Sequence, residues 1–350
     1  MKKYILGLVV LAIIISASLF YYVSIKNSNK VVDLKEYSEL ASAENQGKMD
    51  EAISIAQNIL NRHPEDIQAK LSLAEIYLNK GSHDNKEAEF SPKALEIVNQ
   101  VLQKDPNNFE AYRIMGYAYE IQESFEKAII SYNKAISIDP NNAAIYNSRG
   151  HAYELMGQYQ LAKDDYLKAY QLDSNNSNIL MNISRMYLST GDDKKAKEFA
   201  ERLIAFKDGS ILSYVKSTAY SVLGQVALNA NNKEEAIKNF TEAVNLLPSF
   251  VAGYINRAQA RILVGTISES DKVEIVNDLN TALKLNPNSS TSYYLLGGFY
   301  EKQKDYSLAL SNYTKALSVI DLDLAIGTGA RDFVKNEYQQ KVDLINKLKK

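Results

Sequence analysis

Between residues 109 and 142 the apolar positions return every three or four residues. In FEAYRIMGYAYEIQESFEKAIISYNKAISIDPNN, counted with Phe109 as position 1, Tyr112, Met115, Gly116 and Tyr119 fall at 4, 7, 8 and 11, and Ala128, Tyr132 and Ala135 at 20, 24 and 27. Residues so spaced share one face of a helix, so the stretch predicts two amphipathic helices with a polar break between them. Pro140, at position 32, cannot continue a helix and biases the residue before it away from helical angles, which ends the second helix. Residues 143–176 repeat the pattern with Tyr146, Gly150, Tyr153, Ala162, Tyr166 and Ala169, and Ser174 stands where the proline would be.

The same ruler runs along the chain. Pro64, Pro106, Pro140, Pro248 and Pro287 are separated by 42, 34, 108 and 39 residues, multiples of 34 with short additions. A fixed period of that size marks a repeat architecture. Extending the register gives eight units: 33–66, 67–108, 109–142, 143–176, 177–210, 217–250, 251–289 and 290–323. Position 20 is alanine in seven of them (Ala52, Ala94, Ala128, Ala162, Ala196, Ala236 and Ala309), and position 24 carries Tyr132, Tyr166, Phe240 or Tyr313. The small residues at 8 and 20 let the two helices of a unit approach, and the large group at 24 fills the space between units. Additions near GSHDNKEAEFSP (which holds Pro92), before residue 217 and near SESDK are expected between helices, as loops. Residues 328–350 predict one further amphipathic helix with Val334, Tyr338, Val342 and Ile345 on one stripe, so 324–350 reads as a polar-faced cap on the array.

This pattern resembles the tetratricopeptide repeat (TPR) family, whose signature W-x2-L-G-x2-Y followed by A-x3-F, A and P has these spacings, over roughly 290 residues. The resemblance implies an all-α, right-handed solenoid that binds protein or peptide partners and is not an enzyme. It also implies that the first helix of each unit lines a concave groove, with ligand contacts from positions 2, 5, 6, 9, 12 and 13. Mapped here, those positions yield Arg113, Tyr117, Asn147, His151, Asn182, Arg185, Gln225, Asn256 and Gln259 as candidate partner-binding residues. Asn182 and Asn256 both occupy position 6, where some members carry an asparagine ladder against a peptide main chain. An amide donates and accepts at once, which suits a backbone whatever its side chains. The ladder is incomplete, because position 6 is Ile114, Ser148, Val222 and Leu295 elsewhere, and the lysine–asparagine clamp of some chaperone-binding members is not matched.

The N-terminus has a different composition. Lys2 and Lys3 precede Ile5–Val23, nineteen residues without a charge. As a helix that run spans about 28 Å, close to the hydrocarbon thickness of a bilayer. Tyr4, Tyr21 and Tyr22 lie at its ends, where amphipathic rings favour the interface. Residues 1–23 therefore read as a transmembrane anchor contacting the lipid bilayer through 5–23, and 24–32 as a linker. A cleavable signal peptide competes, since Ser16 and Ser18 suit a cleavage site, although signal apolar cores usually run only about 7–15 residues. A short positive N-terminus usually stays in the cytoplasm, which places the solenoid outside it in the single-pass reading. The composition, rich in lysine, asparagine and isoleucine, suggests a bacterial cell membrane.

Charge and chemistry narrow the rest. A net charge of −2 offers no basic face for nucleic acid. The chain has no cysteine, and its three histidines, His63, His83 and His151, share no metal-ligand spacing. No phosphate loop or nucleophile elbow occurs, so no catalytic residue, metal or cofactor is assigned. The expectation is a membrane-anchored TPR scaffold assembling a cell-envelope complex. The alternatives are a secreted module after signal cleavage and a regulatory subunit of an envelope enzyme.

Overall fold

The computed structural model describes residues 34–84, 86–206, 213–263, 267–323, 326 and 328–349. The apolar segment at 5–23, the linker at 24–32 and the KDGS run at 207–210 lie outside these. Among the described residues there are seventeen α-helices and no strand. None of these helices is long and apolar enough to cross a membrane. The chain divides into two compact units at Asn141/Asn142.

The first unit holds three helix pairs: α1 (Leu34–Asn45) with α2 (Met49–Arg62), α3 (Ile67–Asp84) with α4 (Glu87–Lys104), and α5 (Phe109–Ile121) with α6 (Phe125–Ile138). The second holds five pairs and one further helix. These are α7 (Ala143–Leu155) with α8 (Tyr159–Leu172), α9 (Ser177–Ser189) with α10 (Asp193–Ala205), and α11 (Ser213–Asn229) with α12 (Lys233–Leu246). They continue with α13 (Val251–Leu263) and α14 (Glu269–Leu285), then α15 (Ser290–Lys302) and α16 (Tyr306–Val319), and end at α17 (Thr328–Leu348).

The helix ends follow from side chains at fixed positions. Asn108, Asn142, Asn176 and Ser289 cap the first helices by accepting backbone N–H bonds, and Asp192, Asn232 and Asp305 cap second helices in the same way. Each proline of the ruler follows a helix whose last flanking residue has left helical angles: His63, Asp105, Asp139, Leu247 and Asn286 all have φ between −127° and −137°. Proline restricts its neighbour in that direction, and Asp173, before Ser174, adopts a similar φ of −143° without one.

In four pairs the helices approach closely where a ring lies on a glycine. A Cβ at Gly116 would lie 2.4 Å from the Tyr132 ring, at Gly150 2.9 Å from Tyr166, at Gly224 2.5 Å from Phe240 and at Gly297 2.6 Å from Tyr313. These four rings are at most 1% exposed. The large group at position 24 therefore packs on the glycine of its own pair and also reaches into the space toward the next, where Phe240 clusters with Ala260 and Tyr313 with Ile345. Alanine at position 20 is buried in all seven cases, and Ile275 takes that place in the pair that lacks it.

Among the described residues, the additions lengthen helices. The GSHDNKEAEFSP run is absorbed by lengthening α3 and α4 to 18 residues each, and Pro92 lies inside α4. SESDK is the first turn of α14, closed by a capping box between Ser268 and Asp271. Ser213–Lys216 begin the 17-residue α11. Ordinary helices here have 13 or 14 residues, so each addition amounts to about one extra turn, the increment that keeps the buried face in phase. Lengthening also buries Phe90, 7% exposed, beside Tyr77.

Helix α17 covers the last pair with the predicted stripe: Tyr338 and Ile345 are buried, with Val334 and Val342 packed alongside. Tyr338 stacks on Tyr294 with ring centroids 4.4 Å apart.

Candidate partner-binding surface

The groove positions lie on the first helices. In the first unit, Arg113 on α5 bonds Glu75 on α3 at 2.9 Å and Glu110 at 2.6 Å. Burial opposes its charge, but the two carboxylates outweigh burial and raise its pKa. Tyr117 is half-buried, and burial pushes its hydroxyl up as well.

In the second unit the asparagines are already engaged. Asn182 on α9 is 7% exposed and donates to Asn147 on α7 at 3.0 Å. Asn256 on α13 donates to Ser221 on α11, also at 3.0 Å. Both bonds run from position 6 to position 5 of the preceding first helix, so these amides brace neighbouring repeats. The expectation that Asn182 stands exposed is corrected for that reason. Arg185 keeps 41% of its side chain exposed and lies 3.6 Å from Glu154. Gln225 bonds Asn229 on its own helix at 3.2 Å. His151 and Gln259 are half-buried on the same series of helices.

Two further sets of bonds join the helices of a pair. The hydroxyls of Tyr132, Tyr166 and Tyr313 donate to Glu120, Glu154 and Glu301, each twelve residues earlier. Burial of Glu301 pushes its carboxyl up, but hydrogen bonds from Tyr313 and Lys341 outweigh burial and hold it below 4.5. The second set pairs arginine at position 7 with aspartate at 23. Arg149 forks onto Asp165 at 2.6 and 2.7 Å, and Arg257 onto Asp278 at 2.6 and 3.0 Å, with Arg261 also on Asp278. Sequence reasoning missed both sets. The signal was present, because Glu120, Glu154 and Glu301 at position 12 accompany the tyrosines at 24, whereas Leu228 accompanies Phe240.

Sequence models of the tetratricopeptide repeat match residues 41–91, 143–176, 177–208, 217–250 and 290–320, and a TPR-repeat model matches 116–157. Together they cover more than half of the chain. It belongs to the tetratricopeptide repeat family. Among curated proteins this TPR chain is 28% identical to human Protein O-mannosyl-transferase TMTC1 over 142 residues, which is 40% of this chain and 14% of that one. It is 33% identical to the bovine Protein SGT1 homolog over 100 residues, 28% of each chain. The matches thus span under a third of either relative. Among solved structures, the APC/C hetero-tetramer Cut9–Hcn1 superposes with a TM-score of 0.62 at 17% identity, covering 91% of this chain and 58% of that one. Yeast Tom70 follows at 0.57 and 16%, covering 92% and 66%. A tetratricopeptide repeat protein from Parabacteroides merdae gives 0.57 and 17%, covering 76% and 98%. At these identities the likeness is one of fold.

Proposed function

We propose that this TPR chain is an interaction scaffold that captures a segment of a protein partner along its first helices, held at a cell membrane by residues 5–23. The observation that carries the reading is the chemistry of one series of helices. Packing is closed by ring-on-glycine contacts between the helices of four pairs, while His151, Arg185, Gln225 and Gln259 remain half-buried polar side chains on successive first helices. Partly desolvated polar groups on a rigid scaffold are suited to a polypeptide backbone and its side chains. Cut9 is found in an assembly with Hcn1, which is the kind of role proposed here. Assembly of an envelope complex outside the cytoplasm is the setting that the apolar N-terminal run and the flanking lysines support.

The test is site-specific photocrosslinking in native membranes. A crosslinker at Gln259 is expected to yield discrete adducts that one at Tyr159, 54% exposed on the second helix α8, does not. Equal adducts from both positions would remove the groove as the binding face. Carbonate washing addresses the anchor: the chain is expected to stay in the membrane fraction with its N-terminal peptide intact. A mature chain beginning near Leu19 would instead establish the secreted alternative.

A further inference from the structure

α15 carries two successive glycines, and they do different things. Gly297 lies under the Tyr313 ring, where a Cβ would come within 2.6 Å. Gly298 has no such reason to be glycine: a Cβ there meets only the Tyr313 hydroxyl, at an ordinary 3.4 Å. Glycine inside a helix costs about 1 kcal/mol relative to alanine, so Gly298 carries a cost that packing does not explain. What its missing side chain does is open a cavity. Gly298 occupies position 9, which holds His151, Arg185, Gln225 and Gln259 in the other pairs of this unit. In their place is a space of about 350 Å³ over Gly298.

The walls of that space are apolar and fixed. Leu295, Ile262 and the rings of Tyr294 and Tyr313 line it. Tyr294 is held by stacking on Tyr338 and by donating its hydroxyl to Glu337, and Tyr313 by its bond to Glu301. The rim is charged. Lys341 of α17 lies 2.9 Å from Glu301, so those two charges offset each other. Glu337 adds a second carboxylate beside Tyr294, and exposed Lys302, in ion-pair contact with neither carboxylate, bonds the Ile262 backbone carbonyl at 3.3 Å. An ammonium has three donors, and a carbonyl takes up one of them.

We propose that this cavity receives an apolar side chain of a partner segment whose next residue is acidic, with that carboxylate on Lys302. The proposal rests on the reading that the first helices take a protein segment, and deepens it by naming the chemistry of the segment. The Lys302 ammonium, which spends one donor on a carbonyl, selects an acidic neighbour on its side of the rim, and an apolar pocket already held open binds without the cost of forming it. Helix α17 then has a second role beyond covering the last pair, because Lys341 lines the space and Tyr338 holds the Tyr294 ring in place by stacking on it.

The full-length chain in detergent is titrated, by fluorescence polarisation, into fluorescein-labelled heptapeptides with blocked ends. Their glycine–serine flanks surround Leu-Asp, Ser-Asp or Leu-Lys, and a fourth peptide ends in leucine with a free carboxylate. The Leu-Asp peptide is expected to bind about tenfold or more tighter than each of the others, the loss expected when one buried apolar group or one charge partner is removed. Gly298→Gln, which restores the residue found at position 9 in α11 and α13, should weaken Leu-Asp binding by a similar factor without lowering the melting midpoint. Lys302→Gln, on an exposed side chain, should abolish the preference for Asp over Lys. Equal binding of the four peptides, or unchanged binding by Gly298→Gln, overturns the proposal, and so does tighter binding of the free C-terminal leucine. If Gln259 still crosslinks a partner while Leu-Asp fails, the cavity assignment falls and the scaffold reading stands. If Gln259 yields no adduct, the scaffold reading falls on its own account.

Discussion

The pairs α11/α12 and α15/α16 place a ring on a glycine with nearly the same closeness, 2.5 Å for Gly224 under Phe240 and 2.6 Å for Gly297 under Tyr313, measured to a Cβ on the glycine. They differ at one atom and its partner. Tyr313 donates its hydroxyl to Glu301, whereas Phe240 has none and position 12 is Leu228. These two pairs therefore share the ring and the glycine. Among the four pairs with a ring at position 24, the polar bond either comes complete, as hydroxyl with carboxylate, or is left out on both sides. Leaving one half would strand a polar group, which costs more than the intact bond contributes.

The largest expected effect tests the shared part. Phe240→Ala removes a fully buried ring and should cost about 3–5 kcal/mol, read as a lowered urea midpoint. Tyr313→Ala should cost at least as much. A loss under 1 kcal/mol in either would mean that the ring is not what sets the spacing of the pair.

The differing part is tested next by importing half of the polar bond. Phe240→Tyr should cost about 1–3 kcal/mol, because its hydroxyl would be buried beside Leu228 without an acceptor. Adding Leu228→Glu should recover most of that loss. No recovery in the double variant would show that the Tyr–Glu pairing depends on more than these two positions. The converse change, Tyr313→Phe, should cost only about 0.5–1.5 kcal/mol, since Glu301 keeps its bond from Lys341.

The turns of the two pairs also differ. Asn231 and Lys304 both stand at φ near +60°, at the position where Gly157 and Gly191 serve other pairs. A left-handed conformation costs a residue with a Cβ about 1–2 kcal/mol, with asparagine tolerating it best. Lys304→Gly should accordingly raise stability by about 0.5–1 kcal/mol after the added chain entropy of glycine, and Asn231→Gly by less. A larger gain at Asn231 would reverse that ranking.

Much of the fold was legible because the repeat prints it eight times. Alanine at 20, the ring at 24 and proline at 32 each do one steric job, and sterics read directly from residue size. The lengthened helices were not legible, since GSHDNKEAEF and SESDK are polar and turn-like in isolation. They are helical because one added turn preserves the phase of Phe90 and Ile275 against their neighbours. Position-6 asparagines likewise looked available. Whether Asn182 faces a ligand or Asn147 depends on how the first helices are spaced, which no single repeat encodes. The Gly298 cavity was hidden in plain sight, because one glycine beside another reads as packing until the atoms above each are known.

The smallest effect, and the one with a sign to check, is pH. Glu301 has its folded carboxyl held below the ordinary 4.5, because the bonds from Tyr313 and Lys341 outweigh its burial. A depressed carboxyl adds stability that is fully present above about 4.5 and is lost as pH falls through the depressed value. Glu301→Gln should thus be less stable than the wild type from pH 7 down to about 5, and the gap should close below 4.5. Leu228 has no titrating group, so Leu228→Gln should show a gap that stays constant. Glu44 supplies the opposite case. It also stands at position 12, but Ala56 stands at position 24 and offers no hydroxyl, and burial, with the charge of Glu75 second, pushes its carboxyl above 4.5. Its ionised form is a burden on the fold, so Glu44→Gln should stabilise the chain at pH 7, with the gain fading as acid protonates the native carboxyl. Urea midpoints for the three variants between pH 7 and pH 3.5 decide the matter. Gaps of the same sign for Glu301→Gln and Glu44→Gln would show that the tyrosine hydroxyl does not govern the carboxylate at position 12.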